Sequence, residues 1–377
     1  MSISAAFLKH FSELDDPRIE NNNKRHNLSD ILVMTILAVI CGADCIVDIE
    51  EFGECQIDNL KQFLELPNGI PSHDTIGRVL GTLDSQQFQS CFLSWINELV
   101  TVSEGEIIAI DGKTSRGSQN RKNGGKALHL ISAWSSKNKM VLGQRKVGDK
   151  TNEITAIPEL IKMLDLKGAV VTIDAMGCQK PIAEAIKNKG ADYLLAVKGN
   201  QGELHESLIQ TFAKAKELNY EAMVYAHSKT VEKDHGRIET RHYVVLPIMY
   251  LHRFKLPWKG LQSLIKVEST REIGDQKSYE ERYYISSLEY NDPKISLGIR
   301  SHWTIENQLH WSLDVAFNED LCRAREGNIA ENLAVVRHIA LNLLKKETSK
   351  KIGIAGKRKA CGWDIKYLAK VLTGAAL

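Results

Sequence analysis

Three acidic residues are candidates for a site that binds divalent metal ions. Asp111 and Asp174 each close a short apolar run, which predicts a buried strand that ends in an acid. In open sheets with covering helices, ligands bind at the carboxyl ends of the strands. Two carboxylates held there repel each other unless a cation compensates, and Mg²⁺ suits one or two carboxylates together with substrate phosphate. Glu306, on a predicted helix, could complete a two-ion site that promotes in-line displacement at a phosphodiester.

The same residue types allow simpler interpretations. A lone Asp at the end of a strand is more often a cap or a turn residue than a catalytic group, and an exposed Glu on a helix is weaker evidence still. His302, Glu306 and His310 recur every four residues, so they lie roughly on one face of a helix. That arrangement would also suit a zinc ion, although such histidines more often pack or contact phosphate. Spacing alone therefore leaves the metal and the reaction open.

The elements that would carry these acids alternate between strands and helices from about residue 105 onward. Such alternation is typical of a mixed sheet with covering helices, and the order is that expected of a ribonuclease H-like core. Strands are predicted at 106–111, 127–134, 140–147, 170–174 and 193–197, and helices at 153–164 and 181–189. A mostly β insertion follows at about 204–290, although its last strand could belong to the core. A long helix that begins near Lys294 carries Glu306.

The first hundred residues predict several helices separated by tight turns. An apolar helix that ends at Cys41 is followed by a second helix from about Ile46 to Leu66 and by two further helices. These helices could form a DNA-binding module of the helix-turn-helix type, or simply a helical packing domain. We predict an N-terminal helical, DNA-binding domain at 1–100 and a catalytic domain, which includes the insertion, at 101–377.

The overall charge does not by itself indicate a partner. The chain has 49 basic and 47 acidic residues and a formal charge of +2, so a case for nucleic acid depends on where the charges lie. A predicted loop after Asp111 could hold a DNA backbone near the metal ions, or could be merely solvated. Its basic residues are Lys113, Arg116, Arg121, Lys122 and Lys126. The tail from Lys345 to Lys359, with seven basic residues, allows the same two interpretations.

Cysteine usage and hydropathy favour a cytoplasmic protein. The seven cysteines are odd in number and scattered, and no CxxC pair occurs, which fits a reducing compartment. No signal peptide opens the chain, and the most apolar run, Ile31 to Cys41, is too short to span a bilayer. We expect a soluble intracellular protein that does not engage a membrane.

Long motifs, spread over nearly the whole chain, carry a resemblance to a known family. In the larger part of the chain they are residues 109–113, 152–160, 172–180, 196–202, 299–311 and 313–315. These stretches resemble the H-repeat-associated proteins, which are DDE transposases of bacterial insertion sequences of the ISAs type. Residues 27–32 and 48–54 resemble the associated N-terminal domain of that family. The motifs are long and specific.

The resemblance implies a ribonuclease H-like catalytic core that binds terminal inverted repeats and moves an insertion sequence by DNA recombination. Asp111 and Asp174 match the two aspartates of the family and Glu306 matches its glutamate, so these residues would bind Mg²⁺, for which Mn²⁺ can substitute. Water would attack at the ends of the element, and the freed 3′-hydroxyl would attack target DNA. The implied partners are double-stranded DNA and a second copy of the chain in a DNA-bound homodimer, in the bacterial cytoplasm in association with the nucleoid.

Around the glutamate, the chain departs from the pattern of related insertion-sequence transposases. Those proteins often carry a Tyr-Arg-Glu-Lys signature, but here His302 stands at the position of the Arg and Leu313 at that of the Lys. Arg300 or His302 would then take over contacts to phosphate. Lys198 is a further candidate for contact with DNA.

Two other functions are compatible with the same residues. A ribonuclease H-like nuclease would cut DNA without strand transfer and without preference for inverted repeats. An inactive relic of an element would bind DNA without cutting it. All three carboxylates are present, which counts against simple decay of the site.

Overall fold

A mixed sheet of nine strands forms the centre of the computed structural model, which describes residues 9–20, 24–120, 124–148, 151–234, 236–251 and 258–373. The strands are β1 Ile107–Ser115, β2 Leu128–Ser135, β3 Met140–Lys146, β4 Val170–Ile173, β5 Asp192–Val197, β6 Ala226–Asp234, β7 Arg237–Pro247, β8 Ser263–Ile273 and β9 Gln276–Ser286. Their order across the sheet is β3-β2-β1-β4-β5-β9-β8-β7-β6.

Helices precede the sheet, cover it and follow it. The N-terminal helices are α1 Leu28–Cys41, α2 Ile46–Cys55, α3 Ile57–Leu60, α4 His73–Thr82 and α5 Ser85–Leu99. The helices between strands are α6 Glu153–Met163, α7 Lys180–Asn188 and α8 Gly202–Glu217. The C-terminal helices are α9 Lys294–Thr304, α10 Trp311–Ala316, α11 Ile329–Lys346, α12 Ile354–Trp363 and α13 Ile365–Thr373, and a π-helical segment, Ile305–His310, joins α9 to α10.

The first five strands confirm the predicted ribonuclease H-like core. β1 runs antiparallel to β2, which runs antiparallel to β3. On its other side β1 pairs in parallel with β4, which pairs in parallel with β5. Parallel neighbours need a crossover connection, and α7 supplies it between β4 and β5. The carboxyl ends of β1, β4 and β5 therefore point toward the same edge of the sheet.

The predicted β insertion extends this sheet. The strands β6 to β9 are antiparallel, and β9 pairs with β5 along Leu194↔Ser286 to Val197↔Tyr283, so β9 is shared with the core. The expectation of β structure from residue 204 is wrong at its beginning, because Gly202–Glu217 is the 16-residue helix α8. That helix buries Leu204, Leu208 and Phe212 at a spacing of four residues, which is a helical period.

The N-terminal helices share one hydrophobic core with the sheet. Eleven of the 14 residues of α1 are buried, and α1 packs against α11, which is buried along nearly its whole length. The predicted helix from Ile46 to Leu66 is interrupted at Gln56, where the backbone leaves the helical region (φ −112°, ψ 14°). Within the described ranges, no helix alone is long and apolar enough to cross a membrane; α1 and α2 reach that length only as a pair bent by 95°.

Part of the basic tail faces inward. Lys357 and Arg358 on α12 are buried. The Lys357 ammonium donates to the carbonyl of Leu344 at 2.9 Å, and the Arg358 guanidinium donates to the carbonyls of Val39 and Ala43, both at 2.9 Å. These two charges therefore hold α12 against α11 and the end of α1, and they are not part of a solvated tail.

Candidate active site

The register of two parallel strands brings Asp111 and Asp174 to the same edge of the sheet. Ile110 of β1 is the pairing partner of Ile173 of β4, and each acid is the next residue in its chain. The expectation that Asp111 ends its strand is wrong: β1 continues to Ser115, because β2 keeps pairing with it from Ser135 to Leu128. Asp111 is thus held within a strand, at the level where the neighbouring strand β4 stops.

The loop after β4 fixes the carboxylate of Asp174. Its Oδ1 accepts hydrogen bonds from the backbone N–H of Met176 at 3.0 Å and of Gly177 at 3.3 Å. A side chain at Gly177 would meet Ile173 Cγ2 at 2.3 Å, so the tight turn depends on glycine there. The Asp174 Oδ2 atom makes no hydrogen bond with a described residue.

Glu306 reaches the two aspartates from the helix that lies over β1 and β4. This helix can approach the sheet closely at Gly298, where a Cβ would already lie 3.0 Å from Leu194. Glu306 belongs to the π-helical segment, and its side chain is half-exposed. Asp111, Asp174 and Glu306 line one cavity of about 310 Å³. The three acids predicted from the sequence thus line the same cavity, and their role as metal ligands stays a prediction.

His310 completes a cluster with two of the acids. Its Nδ1 lies 3.8 Å from Asp111 Oδ2 and 3.6 Å from Glu306 Oε2. One possible ligand atom from each of the three residues lies within 4.8 Å of the others, a grouping that could hold a metal ion. Asp174 lies outside this grouping but lines the same cavity.

The electrostatics of the cavity disfavour several negative charges without a cation. Burial raises the pKa of Asp111, and the negative charges of Glu306 and Asp174 raise it further. Burial also raises the pKa of Asp174, with Glu153 as a further cause, despite the hydrogen bond from Gly177. The His310 imidazole lowers the pKa of Glu306. Asp111 therefore tends to keep a proton that a bound cation would displace.

His302 does not join the metal-ligating group. Its Nδ1 lies 3.0 Å from the hydroxyl of Thr172 on β4, and burial lowers its pKa to about 4. The imidazole is neutral at pH 7, so at this position it offers a hydrogen bond and no positive charge. The zinc site of His302, Glu306 and His310 considered from spacing alone is replaced by a grouping in which Asp111 takes the place of His302.

The basic residues singled out after Asp111 have different surroundings. Lys113 lies within β1 and not in a loop, and its ammonium sits among carboxylates, 2.7 Å from Asp314 and 3.0 Å from Glu319. The exposed side chain of Arg116 lies 3.5 Å from Asp320. Lys126 lines a separate cavity with His129 and Glu153. Arg121 and Lys122 lie outside the described residues. The role of this set in DNA binding stays a prediction.

Lys198 and Arg300 lie closer to the acids. Lys198 is exposed and lines the cavity of Asp111, Asp174 and Glu306. Arg300 donates to Glu232 on β6 at 2.6 and 2.8 Å, so its charge is already paired. Their contacts to DNA also stay predictions.

Sequence reasoning missed Arg282, and it favoured core positions over a base-stacking role for Trp303 and Trp311, which are 43% and 61% exposed. Arg282 of β9 lines the cavity because its neighbour Tyr283 pairs with Val197, which places Arg282 beside Lys198. The guanidinium lies 5.6 Å from the ring centroid of Trp303, whose side chain is 43% exposed. Strand register of this kind leaves no signal in the sequence. His310 did have a signal, its spacing of four residues from Glu306.

An arginine-lined groove continues from the cavity. It has a volume of about 270 Å³, and Arg282 and Trp303 line both spaces. Its charged residues are Arg237, Arg241, Arg271, Arg282 and Arg300, with Glu239 and Glu280. The cavity lies at the carboxyl end of β5, and the groove lies along the strands β7 to β9.

Comparison with known proteins gives matches along almost the whole chain. Residues 103–343 match the family described as Transposase DDE domain, and residues 8–96 match the family described as DDE_Tnp_1-associated. The chain is 45% identical to "H repeat-associated putative transposase YhhI" of Escherichia coli (strain K12), over 98% of each chain. It is also 45% identical to "Putative transposase YncI" of Escherichia coli O157:H7, over 99% of this chain and 95% of that protein. Among solved structures, a piggyBac transposase synaptic complex with hairpin DNA is similar with a TM-score of 0.44 and 11% identity, over 98% of this chain and 77% of that chain.

Proposed function

The chain belongs to the DDE transposase family, and from this membership we propose that it cuts DNA at the terminal inverted repeats of an insertion sequence and joins the freed ends to target DNA. Asp111, Asp174 and Glu306 are the proposed metal ligands. The observation that carries the proposal is that these three residues, far apart in sequence, line one cavity at the edge of the sheet.

The donor set of the cavity fits a divalent cation. Carboxylate oxygens are the ligands that Mg²⁺ and Mn²⁺ prefer. Burial and neighbouring carboxylates raise the pKa values of Asp111 and Asp174, and a bound cation would oppose that effect. Bound between these carboxylates, Mg²⁺ or Mn²⁺ would activate the attacking oxygen and stabilise the leaving one.

The protein itself contributes position and electrostatics. The backbone N–H groups of Met176 and Gly177 orient the carboxylate of Asp174. The pairing of β1 with β4 holds Asp111 beside Asp174. Lys198, on the wall of the same cavity, brings positive charge to the place where a phosphate would lie. Arg282 also lines the cavity, with its guanidinium paired to Glu280 at 2.7 and 2.8 Å. Such fixed groups cost little reorganisation when the reaction occurs.

The arginine-lined groove is the proposed path of the DNA backbone. It adjoins the cavity through Arg282 and Trp303, and basic side chains in a groove attract phosphates independently of sequence. The exposed ring of Trp303 could stack on a base that has left the duplex near the cut. We further propose that the protein acts on DNA as a homodimer in the bacterial cytoplasm.

The test uses the purified full chain and DNA that carries the inverted repeats flanking its gene, with Mg²⁺ or Mn²⁺. Asp111→Asn, Asp174→Asn and Glu306→Gln should each lower the cleavage rate by about a thousandfold or more, while gel-shift binding of the same DNA is retained. Glu289→Gln, an exposed residue that is not among those lining the cavity, is the matched control and should cleave like the unchanged protein.

Each alternative outcome has a separate meaning. Full cleavage by Asp111→Asn would contradict the metal role of the cavity. Cleavage without strand transfer into a target plasmid would identify a nuclease. DNA binding without cleavage under either metal would identify a relic that has lost its activity.

A further inference from the structure

The side chain of His310 is buried beside the proposed metal ligands, and one of its two ring nitrogens has no hydrogen-bond partner among the described residues. It is 8% exposed, and its Nε2 atom is buried without a partner. The Nδ1 atom points at Asp111 and Glu306 from 3.8 and 3.6 Å, which is longer than a hydrogen bond. The Nδ1 atom, and not Nε2, is therefore the ring nitrogen that faces carboxylate oxygens able to share a cation with it.

Glu306 and His310 lie four residues apart in the π-helical segment Ile305–His310. Residues four apart are neighbours on a helix surface, and both of these side chains approach Asp111. Such π-helical segments occur frequently at functional sites.

We propose that His310 Nδ1 is a direct ligand of one divalent ion, together with Asp111 and Glu306, and that it makes this site prefer Mn²⁺ to Mg²⁺. The inference rests on the proposed metal role of Asp111 and Glu306. It adds a nitrogen donor to a set otherwise made of carboxylates.

The distances and the chemistry support this assignment. Mg²⁺ and Mn²⁺ prefer six ligands in octahedral geometry, in which adjacent ligand atoms at about 2.1 Å from the ion lie about 3.0 Å apart. The observed separations of 3.6 and 3.8 Å would therefore need to shorten by less than about 1 Å. Imidazole nitrogen suits first-row transition metals better than Mg²⁺, which prefers oxygen ligands. A competing role for His310 is that of a protonated counter-ion, which would neutralise the carboxylates without touching a metal.

Pulsed electron paramagnetic resonance of bound Mn²⁺ distinguishes the two roles. A directly bound imidazole gives electron spin-echo modulation from ¹⁴N, and this modulation should change to the ¹⁵N pattern when the unchanged protein is produced with ¹⁵N-histidine. His310→Ala should remove the signal, whereas His302→Asn should retain it, because His302 bonds to Thr172. The isotope experiment needs no substitution, so it stands even if His310→Ala folds poorly.

Binding constants provide the second readout. Calorimetric titration of the DNA-free protein should give tighter binding of Mn²⁺ than of Mg²⁺, and His310→Ala should weaken Mn²⁺ binding by about tenfold or more, with a smaller effect on Mg²⁺. Mn²⁺ bound without histidine modulation, or with modulation that disappears in His302→Asn, would overturn the role of His310 while leaving the proposed function intact. If no metal binds even at millimolar concentration, both this inference and the proposed metal site are wrong.

Discussion

The ammonium group of Lys113 lies 3.0 Å from the carboxylate of Glu319, whose side chain is only 2% exposed. Lys113 is two residues beyond Asp111 in β1, and Glu319 follows the helical run that carries Glu306. Asp314 and Asp320 also approach the same ammonium, at 2.7 and 3.4 Å. This ion cluster therefore connects the strand of one proposed metal ligand to the segment behind another.

Lys113→Met should destabilise the protein and disturb the metal site together. Removing one partner of a buried ion pair leaves an uncompensated charge and costs about 3–5 kcal/mol. Arg337, 3.8 Å from Glu319, remains as a partial partner, so the lower end of that range is expected. Denaturant unfolding gives the free energy, and Mn²⁺ titration gives the effect on the site.

Lys277→Met is the matched control for this prediction. Lys277 pairs with Glu272 at 2.8 Å, but its side chain is 68% exposed, and exposed pairs contribute about 0–1 kcal/mol. Equal losses of unfolding free energy in the two variants would show that the cluster of Lys113 does not act as a buried network.

Asp111→Asn should stabilise the metal-free protein at pH 8 and have little effect near pH 4. Burial and the nearby charge of Glu306 raise the pKa of Asp111 above its unfolded value, so the folded state binds more protons than the unfolded state once the pH exceeds about 4. The contribution of Asp111 to the free energy of unfolding is therefore fully present below about pH 4 and is lost as the pH rises toward the raised pKa. We expect a melting temperature about 2 °C higher or more at pH 8 in EDTA, measured by circular dichroism.

Asp16→Asn provides a control of opposite sign. Burial raises the pKa of Asp16, but hydrogen bonds from Arg18 and Lys24 outweigh burial and lower this pKa to about 2. Its contribution is present above the unfolded pKa and disappears as the pH falls toward 2, so this variant should lose stability at pH 8. A pH-independent effect of Asp111→Asn would contradict the repulsion assigned to the cavity.

The sequence predicts the succession of strands and helices in the core and names three acids that line one cavity, but it does not predict all that positions them. Apolar runs ending at Asp111 and Asp174 are visible because buried parallel strands have continuous hydrophobic sequences. The extension of β1 to Ser115 is set by its partner β2, and the approach of Arg282 is set by the register of β9 against β5. Both features depend on pairing between strands that are far apart in sequence, and residue types alone do not predict such pairing.

The π-helical segment was also beyond sequence reasoning. Its six residues have no composition that separates them from an α-helix, and the spacing of Glu306 and His310 is compatible with either form. Spacing alone therefore allows a zinc site of His302, Glu306 and His310 as one alternative, whereas in the structure His302 contacts Thr172 and His310 faces Asp111.

Lys198→Ala and Trp303→Ala should weaken DNA binding in different ways. For Lys198→Ala, the loss of one phosphate contact should reduce the slope of log affinity against log salt concentration by about 0.9.

Trp303→Ala should lower the binding free energy by about 1–3 kcal/mol only on DNA with unpaired end nucleotides, because stacking needs an accessible base. Fluorescence anisotropy across a salt series measures both effects.

Lys259→Ala is the control for these DNA-binding variants. Lys259 contacts Asn188 and lies near Glu184, at the end of the sheet where β5 begins, opposite to Lys198. It should leave the salt slope unchanged. Lys113→Met should also affect this slope less than Lys198→Ala, because carboxylates already surround the Lys113 ammonium.

Arg358→Met should lower the stability of the whole chain and not of the tail alone. The guanidinium donates to Val39 and Ala43 carbonyls and to Asp44, all at 2.9 Å, and its side chain is 4% exposed. Removing it deprives the Asp44 carboxylate of its cationic partner and the two carbonyls of a charged donor, at a cost of about 3–5 kcal/mol. Lys359→Met, at the adjacent exposed residue, is the control and should change the unfolding free energy by less than about 0.5 kcal/mol.

The measurement is thermal or denaturant unfolding followed by both tryptophan fluorescence and circular dichroism. Because α1, α11 and the sheet share one core, both signals should report a single shifted transition. A separate early transition of residues 9–100 would instead mean that the N-terminal helices unfold as an independent domain.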